Sequence, residues 1–63
     1  MISKMTAKKI LKDAGAVRVS DSAAVEFSDT INKFAYNMAK KSVKFAAHAK
    51  RSTIKKSDVE LAK

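Results

Sequence analysis

A chain of 63 residues with one glycine, no proline and no cysteine has room for a single domain and excludes disulfide staples and thiolate metal sites. A domain this small buries only about 60% of its unfolded surface, so its missing stability is expected to come from a partner chain. Fourteen Lys and Arg against six Asp and Glu leave a net charge of +8, which points to a polyanionic partner, while 46% apolar residues exclude a disordered basic tail.

In chain order, residues 6–14 read as a short first helix. Thr6 is expected at its N-cap, with Ile10, Leu11 and Ala14 on one face and Gly15 as its stop. Val17-Arg18-Val19 follows as an extended link. Ser20 and Asp21 open a second helix, one as cap and the other as a negative charge at the positive end of the dipole. Nothing breaks that helix until about residue 50, which gives a rod of roughly 44 Å at about 1.5 Å per residue. Along it Ala24, Phe27, Ile31, Phe34, Met38, Phe45 and Ala49 recur at three, four or seven residues, and Lys41-Ser42 breaks the stripe once. Residues 50–53 form a basic polar link. A third helix is expected over residues 55–62, with Ser57 and Asp58 in its first turn and Val59, Leu61 and Ala62 on its apolar side. No apolar run approaches the roughly 20 residues that span a bilayer, and Met1-Ile2-Ser3-Lys4 lacks the apolar stretch of a signal peptide, so a cytoplasmic protein is expected.

The pattern is all-α, short–long–short. Two short helices cannot cover the apolar stripe of so long a rod. Its middle, at Ile31, Phe34 and Met38, needs a second copy crossing over it, so an obligate homodimer is expected. The cations cluster. Lys4, Lys8, Lys9 and Lys12 lie on or just before the first helix, and Arg18 stands alone in the first link. Lys50, Arg51, Lys55 and Lys56 surround the second link, and Lys33, Lys40, Lys41 and Lys44 lie on the rod. The rod lysines read as a solvated face, whereas Arg51, Thr53 and Lys55 converge in a link with little else to do. Arg18 is either a surface charge or a probe of a DNA minor groove. No Arg-Asn-Gln set shares one helical face, so bases are not expected to be read directly; affinity would come from phosphate contacts and DNA bending.

The stretch from Ile10 to Ser20, Ile-Leu-Lys-Asp-Ala-Gly-Ala-Val-Arg-Val-Ser, resembles the start of archaeal-type histones. The stretch from Ala46 to Ala62, which holds Lys50-Arg51-Ser52-Thr53-Ile54-Lys55-Lys56-Ser57-Asp58, resembles their C-terminal half. The resemblance implies a histone fold over residues 1–63, an intertwined handshake dimer, and sequence-nonspecific binding and wrapping of double-stranded DNA in a chromosome-associated protein. It implies that Lys8, Lys9 and Lys12 meet phosphates from the first helix. Arg18 would enter the minor groove, supported by Thr53 of the partner chain. Ser52, Thr53 and Lys55 would form a phosphate grip, with Arg51 beside them and also paired to Asp58 as a structural lock. Phe45, His48, Asp58 and Leu61 would line a face where dimers meet in tetramers or higher stacks, His48 opposite Asp58. Gly15 would be either a helix stop or a point of close approach between DNA gyres. Departures from the family are Lys9 in place of an arginine, Ser52 in place of a basic residue, an N-terminal lead without proline, and a third helix shortened by the end at Lys63.

Other readings are less well supported by the residues. No nucleophile, glycine-rich phosphate loop or metal-ligand set suggests an enzyme, so no cofactor, metal or small-molecule substrate is expected. A membrane-surface helix is opposed by Glu26 and Asp29 and by the absence of tryptophan. A histone-fold subunit of a transcription-related complex would share the fold but require a different partner chain.

Overall fold

A computed structural model describes residues 1–63. It contains three helices and no strand: α1 (Lys4–Asp13), α2 (Asp21–His48) and α3 (Lys56–Ala62). No helix is long and apolar enough to cross a membrane. The chain forms two compact units, Met1–Lys33 and Phe34–Lys63, divided within α2.

In the first unit α1 begins two residues earlier than expected. Its N-cap is Ser3, not Thr6: the Ser3 hydroxyl accepts the Thr6 backbone N–H at 3.2 Å. Both residue types cap well, and the lead into the helix decides between them. The Ile2 N–H donates to Asn32 Oδ1 at 3.0 Å and Asn32 Nδ2 donates to the Ile2 carbonyl at 3.2 Å, which fixes that lead against α2. Ser20 caps α2 as expected, its hydroxyl accepting the Ala23 N–H. Burial here falls on small residues, Ala7 of α1 and Ala24 and Ser28 of α2. Ser28 satisfies its hydroxyl by donating to the Val25 carbonyl at 2.9 Å.

In the second unit the buried residues are Ser42, Ala46, Asp58 and Ala62. Ser42, an expected break in the apolar stripe, lies inside it at 4% exposure, because its hydroxyl donates to the Met38 carbonyl one turn back at 2.9 Å. The helix stops at His48 rather than at residue 50, since Lys50 adopts a left-handed φ of 58°.

Both α1 and α2 end in the same hydrogen-bonded stop. After α1 the Gly15 N–H donates to the Lys12 carbonyl and the Ala16 N–H to that of Leu11. After α2 the Lys50 N–H donates to Ala47 and the Arg51 N–H to Ala46. These are Schellman closures, and the residue at the turning position must leave the right-handed region. Gly15 meets that demand at φ +120° with open space around it, so the conformation rather than crowding requires glycine within the chain. Lys50 meets it against a Cβ penalty. Gly15→Ala is therefore expected to destabilise by about 1–2 kcal/mol and Lys50→Gly to stabilise by about 0.5–1 kcal/mol. Thermal melts at one fixed protein concentration check both, and equal shifts of one sign would contradict the account.

No large side chain is fully buried. Phe34 is 65% exposed, Val43 57% and Leu61 67%, with Ile31 and Ile54 also open. In the second unit an almost wholly apolar groove is lined by Ala35, Met38, Ala39, Val43, Ile54 and Val59. Fully burying one Leu- or Phe-sized side chain contributes about 1.5–3 kcal/mol, so a core of alanines leaves most of the available hydrophobic stabilisation unused.

Candidate functional site

The second link, residues 49–55, is shaped by one carboxylate. Asp58 is 2% exposed at the start of α3. Its Oδ2 accepts from Arg51 Nη1 at 2.9 Å and from the Lys55 backbone N–H at 2.8 Å, and its Oδ1 accepts from Arg51 Nη2 at 2.9 Å. Arg51 Nη1 also donates to the Thr53 carbonyl at 3.0 Å. The two-pronged guanidinium fork and the Lys55 amide hold the Asp58 carboxyl down at about 2. The same bond raises the Arg51 guanidinium above its ordinary value.

This lock has a directional consequence. Arg51 thus holds the loop in shape through Asp58 and the Thr53 carbonyl, the pairing expected of it, while its side chain keeps 28% exposure. Ser52, Thr53 and Lys55 are left exposed on the outside of the folded loop. They bring two hydroxyls and an ammonium to one short segment, and the Lys55 ammonium is in no ion pair.

The lock also sets a pH response. A carboxylate whose folded pKa lies below its ordinary 3.8 stabilises fully above that value, and the stabilisation is lost as pH falls through the folded value of about 2. Stability is thus expected to drop between pH 4 and pH 2. In Asp58→Asn the melting temperature at neutral pH is expected to fall, and the acid decline to be shallower than in the wild type. Melts across that range at fixed concentration check this; parallel declines would show that the lock does not carry the effect.

On α1 the expected contacts divide. Lys9 and Lys12 are exposed and outside every ion pair. Lys8 is instead tied to Asp21 at 2.6 Å, with Lys4 3.9 Å from the same carboxylate. These ammonium groups lower the Asp21 pKa, chiefly through the Lys8 hydrogen bond. Lys8 is thus engaged in joining α1 to the start of α2. Residue spacing carries no signal of this pair, since it spans the intervening turn. Arg18 is exposed and unpaired in the first link.

Of the residues expected where dimers meet, His48 and Leu61 are exposed and Phe45 is half-buried. Asp58 is committed to Arg51 and Lys55, so its first role is within the chain. The rod lysines Lys40, Lys41 and Lys44 line a shallow depression with Asn37. Lys40 stands 5.5 Å from the centre of the Tyr36 ring, a cation–π contact. Like charges four apart on a helix cost about 0.2–0.5 kcal/mol, which Lys40 and Lys44 incur with no acid to offset them.

Residues 3–62 match the model of the family described as histone-like transcription factor (CBF/NF-Y) and archaeal histone. The chain is similar to the "Probable archaeal histone 3" of Methanocaldococcus jannaschii, at 48% identity over 54 residues, 86% of this chain and 81% of that protein. It is similar also to the archaeal histone HAN1 of Thermococcus zilligii, at 41% identity over the same share of each chain.

Proposed function

Since the chain belongs to the family of histone-like transcription factors and archaeal histones, we propose that it binds double-stranded DNA without regard to sequence, as a crossed homodimer that bends or wraps the duplex on the chromosome. The observation that carries the reading is the exposed apolar ridge of α2. Phe34 at 65% exposure, with Ile31 and Met38 near it, offers a seam that a second α2 covers. Crossing two copies brings the first link of one chain beside the second link of the other.

In that arrangement Lys9 and Lys12 meet phosphates from α1. Ser52, Thr53 and Lys55 grip the backbone from the loop that Arg51 and Asp58 hold in shape. Arg18, exposed and unpaired, reaches into the minor groove, and Thr53 of the second copy supports it. Phe45, His48 and Leu61 remain for contact between dimers, with Asp58 contributing beside His48 through whatever acceptor capacity the lock leaves. Affinity then resides in phosphate contacts and DNA deformation, which are indifferent to base order.

Arg18→Ala tests this reading. It is expected to weaken binding by about tenfold on duplexes of unrelated sequence alike, as measured by fluorescence anisotropy. Loss on one sequence with others untouched would refute packaging as the function. Sedimentation of the pure protein gives the partner: a homodimer is expected, and a chain that pairs only with a different histone-fold protein would overturn the homodimer.

A further inference from the structure

The net charge is unevenly placed. Residues 1–29 carry five Lys or Arg and four Asp or Glu, a net +1, whereas residues 30–63 carry nine against two, a net +7. No acidic residue occurs between Asp29 and Asp58. The loop grip accounts for part of this excess. Lys40, Lys41 and Lys44 account for another part, and they lie on the helix, outside the second link.

At about 100° per residue, Asn37, Lys40, Lys41 and Lys44 fall within one arc of α2, and its centre lies about 180° from that of the groove-lining residues Ala35, Met38, Ala39, Ser42 and Val43. On the same wheel Lys41 lies about 20° from the seam residue Phe34, whereas Lys40 and Lys44 lie about 140° and 100° from the centre of Phe34 and Met38, so the arc flanks the proposed seam with Lys40 and Lys44 on its outer side. None of the three lysines has a carboxylate within ion-pair distance. Tyr36 holds the Lys40 ammonium over its ring, which extends the arc. Lys40 and Lys44 rise about 6 Å apart along the axis, close to two phosphate steps of one DNA strand at about 3.4 Å each. An uncompensated cationic strip on a rigid rod is complementary to a regular line of negative charge.

The geometry points to a second duplex-binding surface on the Lys40–Lys41–Lys44 face of α2, through which the protein bridges two DNA duplexes, one in the loop grip and one on the rod. This rests on the DNA-binding reading above. It assigns the rod lysines a ligand where the sequence alone suggested only a solvated face.

The test is a bead assay with the full chain. One duplex is immobilised, a second fluorescent duplex is free, and the protein joins them; binding to a single short duplex is measured alongside by anisotropy. The wild type is expected to recover the fluorescent duplex. Lys40→Gln/Lys41→Gln/Lys44→Gln is expected to keep single-duplex binding within about threefold while recovery falls about tenfold or more. The corresponding triple arginine variant is expected to restore recovery. Circular dichroism and sedimentation establish that each variant remains a folded dimer. A wild type that binds one duplex and recovers no second one would overturn bridging and leave the DNA-binding reading standing. A wild type that binds neither would overturn both. Equal loss of binding and recovery in the glutamine variant would place these lysines on the first duplex and overturn the second surface, as would undiminished recovery. If poly-glutamate, and not duplex, bound in a manner dependent on the three lysines, the occupant would be an acidic polypeptide and the proposal would fall.

Discussion

Phe34→Lys is expected to abolish the helical circular dichroism of the protein at micromolar concentration. Phe34 is 65% exposed within its own chain, so a lysine there would change stability by no more than about 0.5 kcal/mol if the single chain were the folded unit. In a crossed dimer the same side chain sits in the seam beside its symmetry mate. Two ammonium groups would then be desolvated side by side, at a cost of several kcal/mol, in a protein whose own core is built of alanines. The two architectures thus predict opposite outcomes for one substitution. A folded, monomeric Phe34→Lys protein would end the crossed-helix account. The wild type supplies the companion measurement, since its melting temperature should rise with protein concentration, as required when folding and association are one step.

Affinity for DNA is expected to fall steeply with salt, with a log–log slope of roughly −5 to −9 if a dimer neutralises about 6–10 phosphates. The exposed cations outside ion pairs on α1 and in the two links, Lys9, Lys12, Arg18, Lys50 and Lys55, occur twice in a dimer and supply about that number. Arg51 does not enlarge the slope, because its charge is compensated by Asp58. Lys8 adds little for the same reason at Asp21. Titrations between about 50 and 200 mM salt should span at least about a thousandfold in affinity, and a flat response would exclude the phosphate grip.

Much of the architecture could be read from short-range rules. Gly15 as a stop, Ser20 as a cap and the apolar stripe from Ala24 onward each involve residues within one or two helical turns of one another, where sequence spacing and spatial spacing coincide. The first errors lay where two local solutions compete. Ser3 and Thr6 are both good caps, and the tie between Ile2 and Asn32 chose the earlier one. Lys50 has no propensity for a left-handed turn, and the closure onto Ala46 and Ala47 imposed it. Ser42 looked like a break in the apolar stripe, yet a hydroxyl that donates to a carbonyl one turn back can be buried at little cost.

The candidate interface was legible as a set of cations but not as a division of labour among them. Composition and order determined that the protein is helical and basic, and the resemblance to histones marked Arg51 and Asp58 as a pair. Only the tertiary structure decided which cations face outward. Lys8 and Asp21 stand thirteen residues apart, and Arg51 and Asp58 seven, so loop conformation rather than helical periodicity brings them together. An ion pair removes a charge from the surface only when the backbone delivers both partners to one place, and that delivery is a property of the folded turn.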